Sequence, residues 1–250
     1  MTAVTVALGT FIVILVGMCF GVFLRTNLPE RYLGDKTAET VKLSAGVIAT
    51  LAALTLGLLI ASAKTSYDTR IGEVRKMAAG LILSDRLLAL YGPEAHEARM
   101  KLRATVGPVT DQIWAENALA APKKRFEASS ESEEYVNAIY ALQPQNELQQ
   151  RLRERVVQTT LAIANARLEL FSQMNSLLPP PLLVVLAFWF AVLFAAYTMY
   201  AEINAVSLIA LTVCAASVAG AMFLLFQMNN PFSGLMSIPR VDFVALLPAL

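Results

Sequence analysis

The sequence has few charged residues, and this shortage excludes several classes of protein. Only 16% of the 250 residues are charged and 56% are hydrophobic, whereas a soluble globular chain is about a quarter charged. The formal net charge of +1 leaves no overall field that would attract nucleic acid. The composition therefore argues against a free soluble enzyme, and it predicts no nucleic-acid partner.

Cysteine and histidine are also scarce, which limits metal and redox chemistry. The two cysteines, Cys19 and Cys214, lie in separate apolar runs, and the single histidine, His96, cannot build a multi-histidine metal centre in one chain. We expect both cysteines to be small buried hydrophobic side chains. The G-x-S-x-G, H-E-x-x-H and glycine-rich nucleotide-binding patterns are missing. The sequence therefore predicts no enzyme activity, no metal and no cofactor.

What the sequence does contain is four long apolar segments. Each lacks charged side chains over about 20 residues, the length needed to cross roughly 30 Å of hydrocarbon. A soluble core helix of that length normally carries a polar stripe. The lack of charge within the segments argues against a proton-coupled transporter or a voltage sensor. The predicted spans are 4–24, 43–63, 182–201 and 205–226.

Between the second and third spans the pattern is amphipathic and helical, with no strand-like alternation, so we predict an all-α fold. The helix of span two should continue to Tyr91, where Gly92-Pro93 ends it. Gly107-Pro108 should separate two further helices, and Ser132 should begin another after a polar loop over 121–132. The predicted domains are 1–63 (two spans), 64–181 (helical, outside the membrane), 182–227 (two spans) and 228–250 (tail).

Small residues recur at helical spacing in two of the spans. Gly17 and Gly21 form a GxxxG pair, which permits close helix packing. Span two carries a stripe of small residues along one side of its helix. The stripe serves either close packing with a neighbouring helix or the lining of a narrow pore. Its members are Gly46, Thr50, Ala53, Gly57 and Ala61.

Two cations follow this stripe and have two interpretations. Lys64 and Arg70 lie just beyond span two, where they could form an electropositive mouth in an oligomer and attract inorganic anions. They could equally be ordinary interfacial anchors. An even number of spans puts both termini and 64–181 on one side of the membrane, and the count of basic residues favours the cytoplasmic side.

Several short segments together resemble the bacterial bestrophin-like membrane proteins, a family of unknown function. They are LGLLIASAKTSYD at 56–68, Asp85-Arg86, YGPEA at 91–95, SVAGA at 217–221 and NPFSG at 230–234. The similarity covers nearly the whole chain. It marks Asn229, Asn230, Pro231, Phe232 and Gly234 as a C-terminal motif. Family members often carry an acidic residue just before Pro-Phe-x-Gly, where this chain has asparagine.

The resemblance carries functional implications. Bestrophins are pentameric anion channels with four membrane helices per subunit, so the resemblance implies a homo-oligomeric ion channel with a weak preference for anions. It also implies location in the bacterial inner (plasma) membrane. The alternative is a membrane-anchored scaffold or sensor whose helical domain binds a partner protein.

Overall fold

The computed structural model describes residues 3–29, 34–114, 129–174, 180–201, 204–229, 232 and 235–237. Within these ranges the regular structure is helical and contains no strand, which confirms the predicted all-α fold. A short 3₁₀ turn over Pro93–Ala95 joins the second and third helices. The α-helices of the described residues are α1 (Ala3–Asn27), α2 (Asp35–Tyr91), α3 (His96–Trp114), α4 (Ser130–Ala141), α5 (Glu147–Met174), α6 (Pro180–Tyr200) and α7 (Ala205–Asn229).

The chain divides into two compact units. One comprises Met1–Ser66 with Leu177–Asn230, and we call it the membrane unit. The other comprises Tyr67–Ser176 with Pro231–Leu250, and we call it the helical unit. The predicted tail thus belongs mostly to the same unit as the predicted extramembrane helices.

Four of the helices, α1, α2, α6 and α7, are long and apolar enough to cross a membrane. They contain the four predicted spans except for Ala201, which follows α6, and α7 begins where its span was predicted to begin, at Ala205. Asn204 caps this helix, because its Oδ1 accepts a 2.8 Å hydrogen bond from the Ser207 backbone amide. In return, Ser207 Oγ accepts a bond from the Asn204 amide at 3.1 Å, a reciprocal capping arrangement.

Within the membrane unit, α1 packs against both α6 and α7. The contact with α6 is close because Gly17 faces the backbone of Ala191 and Gly21 faces that of Ala195. A Cβ atom at either glycine would overlap these backbone atoms. The structure therefore places the GxxxG pair in a helix–helix contact inside one chain.

Two polar contacts join the same pair of helices. The buried Thr198 Oγ1 lies 3.0 Å from the carbonyl oxygen of Met18 and 2.9 Å from that of its own-helix neighbour Phe194, so its proton is shared between α1 and α6. Arg25, in the last turn of α1, donates from Nη1 to the carbonyl oxygen of Ala201, which follows α6. The Thr198 contact satisfies a hydroxyl within a span, where lipid offers no partner.

The expectation that both cysteines are buried is wrong for this chain. Cys19 on α1 and Cys214 on α7 are both exposed on the surface of the membrane unit. An apolar neighbourhood in the sequence indicates burial only when the solvent is water. A helix in hydrocarbon can turn apolar side chains outward at no cost, since lipid tails are as apolar as leucine.

The predicted break at Gly107-Pro108 is also wrong, because α3 runs unbroken through Pro108. A proline inside a helix removes one backbone hydrogen bond and crowds the preceding turn. Tertiary packing offsets this cost, since the flanking side chains of Leu102, Val106 and Ile113 are almost fully buried in the core of the helical unit. The predicted stop after Tyr91 does occur: Gly92 has φ +123°, a conformation that favours glycine.

The helix after the polar loop starts slightly earlier than predicted. Helix α4 begins at Ser130 rather than Ser132, with Ser129 as its N-cap accepting from the Ser132 amide at 3.3 Å. Residues 121–128 of the predicted loop lie outside the described residues.

The close contact between α1 and α6 generates a stability prediction. Gly21→Ala should destabilise the protein by about 1–3 kcal/mol, the usual cost of overpacking, because the added methyl meets backbone atoms that cannot move independently. Gly9→Ala is the matched control, since a Cβ there meets nothing within 4 Å. Thermal unfolding in detergent, followed by tryptophan fluorescence, checks the pair. Equal melting temperatures for the two variants would contradict the prediction.

Candidate functional site

Helix α2 presents two different sides within the membrane unit. Ala45, Ala52, Leu59 and Ala63 recur at intervals of seven and four residues and are buried in the core of this unit. At 100° per residue, the small-residue stripe of span two lies on another side of the helix. All of its members are exposed: Gly46, Thr50, Ala53, Gly57 and Ala61.

The stripe is open rather than packed inside the chain. A Cβ atom built on Gly46 or on Gly57 would meet nothing within 4 Å. This contrasts with Gly17 and Gly21, where the same atom would overlap α6. Packing against the described residues of the chain therefore does not explain why these positions are small, and their surface is open to the surroundings of the helix.

Three hydroxyl groups on the exposed surfaces of α2 and α7 bond to the backbone of their own helix. Thr50 Oγ1 donates to the Gly46 carbonyl oxygen at 2.9 Å. On α7, Thr212 donates to Leu208 and Ser217 donates to Val213, each at 2.8 Å. The proton of each hydroxyl is thus used inside its helix, which leaves an acceptor oxygen as the polar feature of the exposed surface.

The two cations predicted as a mouth lie in different environments. Lys64, on the last turns of α2 within the membrane unit, is exposed. Arg70 belongs to the helical unit and is only 2% exposed. Of this predicted pair, Lys64 is exposed and Arg70 is buried.

A buried charge cluster in the helical unit was missed by the sequence analysis. Asp85 on α2 is fully buried and accepts from Arg99 through both oxygens, at 3.2 Å from Nε and 2.9 Å from Nη2. Arg103, one turn further along α3, donates to Oδ1 at 3.3 Å from its Nη2. Asp85 falls between Leu81 and Leu88 at helical spacing on the buried face, and this position was the available signal.

The C-terminal motif is only partly described. Asn229 is the last residue of α7, and Asn230, Pro231 and Gly234 lie outside the described residues. The Phe232 ring packs edge-on against Trp114 with 5.5 Å between centroids, as part of the core of the helical unit.

A hydrogen bond holds the same tail segment. Tyr67 Oη donates to the carbonyl oxygen of Met236 at 3.0 Å, and both residues belong to the helical unit. Together with the aromatic contact of Phe232, this bond fastens the tail to α2 and α3.

In the part of the chain that the structure describes, no three His, Cys, Asp or Glu side chains come together as metal ligands. His96 is exposed at the start of α3. The two cysteines lie on different helices of the membrane unit. These residues offer no arrangement that would hold a metal ion.

Four membrane-length apolar helices beside a unit of amphipathic helices define a multi-span α-helical membrane protein. The family model of the bestrophin-like domain matches residues 6–243, so the chain belongs to the bestrophin-like family. It is thus a membrane protein related to bestrophins, as its sequence motifs predicted. Comparison with curated proteins and with solved structures finds no match.

The buried charge cluster yields a prediction about stability. Asp85→Asn removes the charge that two arginines share in a desolvated site, and breaking such a buried cluster typically costs about 3–5 kcal/mol. We therefore expect a large drop in the free energy of unfolding. Glu97→Gln on α3 is the control, because this carboxylate is exposed and its loss should cost less than about 1 kcal/mol. Denaturant unfolding of the reconstituted chain measures both, and similar losses would contradict the assignment.

Proposed function

We propose that the chain assembles as a homo-oligomeric ion channel with a weak preference for anions, and that the outward face of α2 lines its pore. We further propose that it resides in the plasma membrane with the helical unit and both termini on the cytoplasmic side. The observation that carries the channel proposal is the stripe of small residues on a membrane-length helix, which is exposed and not covered by the described residues of its own unit. Membership in a family related to anion channels supports it.

Packing inside the membrane unit favours a path between subunits over a path within one. Ile14, Ala52, Leu186, Ala215 and Leu225 are fully buried and form one apolar cluster across all four helices. An ion passing through this cluster would lose its hydration without gaining polar partners. Copies of α2 arranged around an axis would instead leave room for a hydrated path, because their facing side chains are small.

Lys64 supports the weak preference for anions. It lies seven residues after Gly57 on α2, and therefore on nearly the same side of the helix as the stripe. Repeated in each subunit, this exposed ammonium would form a ring of positive charge at one end of the pore. One lysine per subunit at this end of the pore would bias selection between ions without making it strict.

Ion flux from liposomes containing the purified chain tests the pore. We expect chloride flux from the wild-type protein to exceed potassium flux, and we expect both Gly57→Leu and Thr50→Leu to reduce flux at least tenfold by filling the axis. Gly220→Leu on α7 is the matched control, because Gly220 is also an exposed glycine of a span with nothing within 4 Å of its Cβ position. It should conduct normally.

The oligomeric state of each variant, measured in detergent, separates the two uses of the stripe. Loss of flux with the assembly intact supports the pore. Loss of the assembly indicates that the stripe packs subunits together, which would contradict pore lining. No flux in either gradient from folded, oligomeric wild-type protein would overturn the proposal in favour of a membrane-anchored scaffold or sensor.

Charge reversal at the proposed mouth gives a separate prediction. Lys64→Glu should lower the ratio of chloride to potassium flux by about threefold or more, because the ring of charge changes sign. Lys36→Glu is the control for a general effect of surface charge, because Lys36 lies on α2 near the other end of span two. Raising the ionic strength should shrink the effect through screening. An unchanged flux ratio in Lys64→Glu would show that this cation takes no part in selection.

A further inference from the structure

The helical unit contains a partly open cavity that the channel proposal does not use. It lies among α2, α3, α4 and α5 and has a volume of about 210 Å³. Most of its wall is apolar, with Leu81, Leu102, Val106 and Ile113 among the residues that line it. A space of this kind excludes ions from most of its surface and favours an apolar occupant.

The volume restricts the occupant to a small molecule. An engineered apolar cavity of about 150 Å³ takes up benzene, whereas sites for drug-sized ligands measure about 300–1,000 Å³. At about 210 Å³ the present cavity lies between these sizes. It therefore fits a chain or ring of about ten non-hydrogen atoms.

Two charged side chains reach the wall, and they differ in their exposure. Glu133 on α4 is exposed, so water screens its charge. Arg167 on α5 is partly buried, and burial lowers the pKa of its guanidinium from the ordinary value. Since a less hydrated charge interacts more strongly with an opposite charge, the field inside the cavity favours an anionic group near Arg167.

The guanidinium of Arg167 is held in a defined orientation. Its Nη2 donates to Oε1 of Gln112 on α3, and its plane lies over the buried ring of Phe171, with 5.6 Å from Cζ to the ring centroid. A planar, oriented guanidinium is suited to recognise a carboxylate. The cavity thus combines an apolar region, which can hold the hydrocarbon part of a ligand, with a cationic head site at Arg167, which can hold an anionic group.

The hydroxyl groups of the wall are already engaged within the protein. Thr105 Oγ1 donates to the Leu102 carbonyl oxygen at 2.7 Å. Thr160 Oγ1 lies 2.9 Å from its own-helix carbonyl at Val156 and 3.4 Å from the hydroxyl of the buried Tyr135. A ligand with many polar groups would find few partners here, so a single polar head suits the cavity best.

We infer that this cavity binds a small amphipathic carboxylate, with its apolar body among the four helices and its carboxylate on Arg167. A medium-chain acyl carboxylate of about ten non-hydrogen atoms has this chemistry and size. The inference concerns the helical unit alone and does not depend on ion conduction, so binding and flux can succeed or fail separately.

Equilibrium dialysis of radiolabelled octanoate against the full chain in lipid nanodiscs tests this site, with empty nanodiscs as the blank. We expect saturable binding of one octanoate per chain above the blank. Octanol, which lacks the charge, should bind at least tenfold more weakly. Binding equal to that of empty nanodiscs, or octanol binding as tightly as octanoate, would overturn the inference.

Variants identify the residues that hold the ligand. Arg167→Gln should weaken octanoate binding about ten- to a hundredfold, with partial recovery in Arg167→Lys, because a hydrogen-bonded charge pair is lost and then restored in part. Arg155→Gln, an exposed site on the same helix, should bind normally. Unchanged affinity in Arg167→Gln would overturn the assignment of the head site.

A substitution that fills the cavity tests the same site without changing the charge of the protein. Val109→Phe adds volume to the wall from a partly exposed position on α3 and should abolish octanoate binding. Thermal unfolding of each variant confirms that it is folded. Octanoate should also raise the melting temperature of the wild-type chain and leave that of Val109→Phe unchanged. Retained binding in folded Val109→Phe would place octanoate elsewhere and overturn the inference.

Discussion

The hydrocarbon interior of a membrane offers no hydrogen-bond partner, and this constraint governs the membrane unit. Its backbone is helical, so amides and carbonyls pair within each helix. The hydroxyls of Thr50, Thr198, Thr212 and Ser217 return to nearby carbonyl oxygens. Helices without a hydrophobic driving force between them are held instead by close contact, which explains the two glycines of α1 that face α6. The outward stripe of α2 also consists of small residues that would permit close contact with another helix, but it makes no such contact with the described residues.

The helical unit differs from the membrane unit in that it contains a buried ionic cluster. Its core is apolar, but it also contains Asp85 between Arg99 and Arg103, an ionic cluster of a kind that the spans do not contain. A buried carboxylate of this sort is costly unless both of its oxygens are satisfied, and here they are. The cluster links α2 to α3 at one place along their length.

The sequence predicted the elements that depend on local composition. Uncharged runs gave the four spans, and Gly92-Pro93 gave the end of α2, because these signals act within a few residues. Features that depend on distant partners were missed. Pro108 continues its helix because neighbouring side chains are buried, and Cys19 is exposed because α1 can face lipid. Neither outcome follows from the residues beside it in the sequence.

The candidate site shows the same division. Helical spacing was enough to place the stripe of span two on one side of its helix, but spacing could not tell that this side is turned away from the unit's own core. Likewise, Lys64 and Arg70 are similar as sequence positions, yet only the fold separates an exposed ammonium from a guanidinium that is 2% exposed. Whether a residue is buried depends on the residues that pack against it, and these lie far away along the chain.

The outward position of both cysteines has a practical consequence. Cys19 and Cys214 lie on different helices of the membrane unit, and each thiol faces the surroundings of the subunit. The natural sequence therefore carries two intrinsic reporter groups that need no engineering. Only the thiolate reacts with an alkylating reagent and hydrocarbon keeps a thiol protonated, so such a reagent would modify a thiol that water reaches and spare one that lipid covers. The modification pattern of the unaltered chain can thus serve as a footprint of water access to α1 and α7.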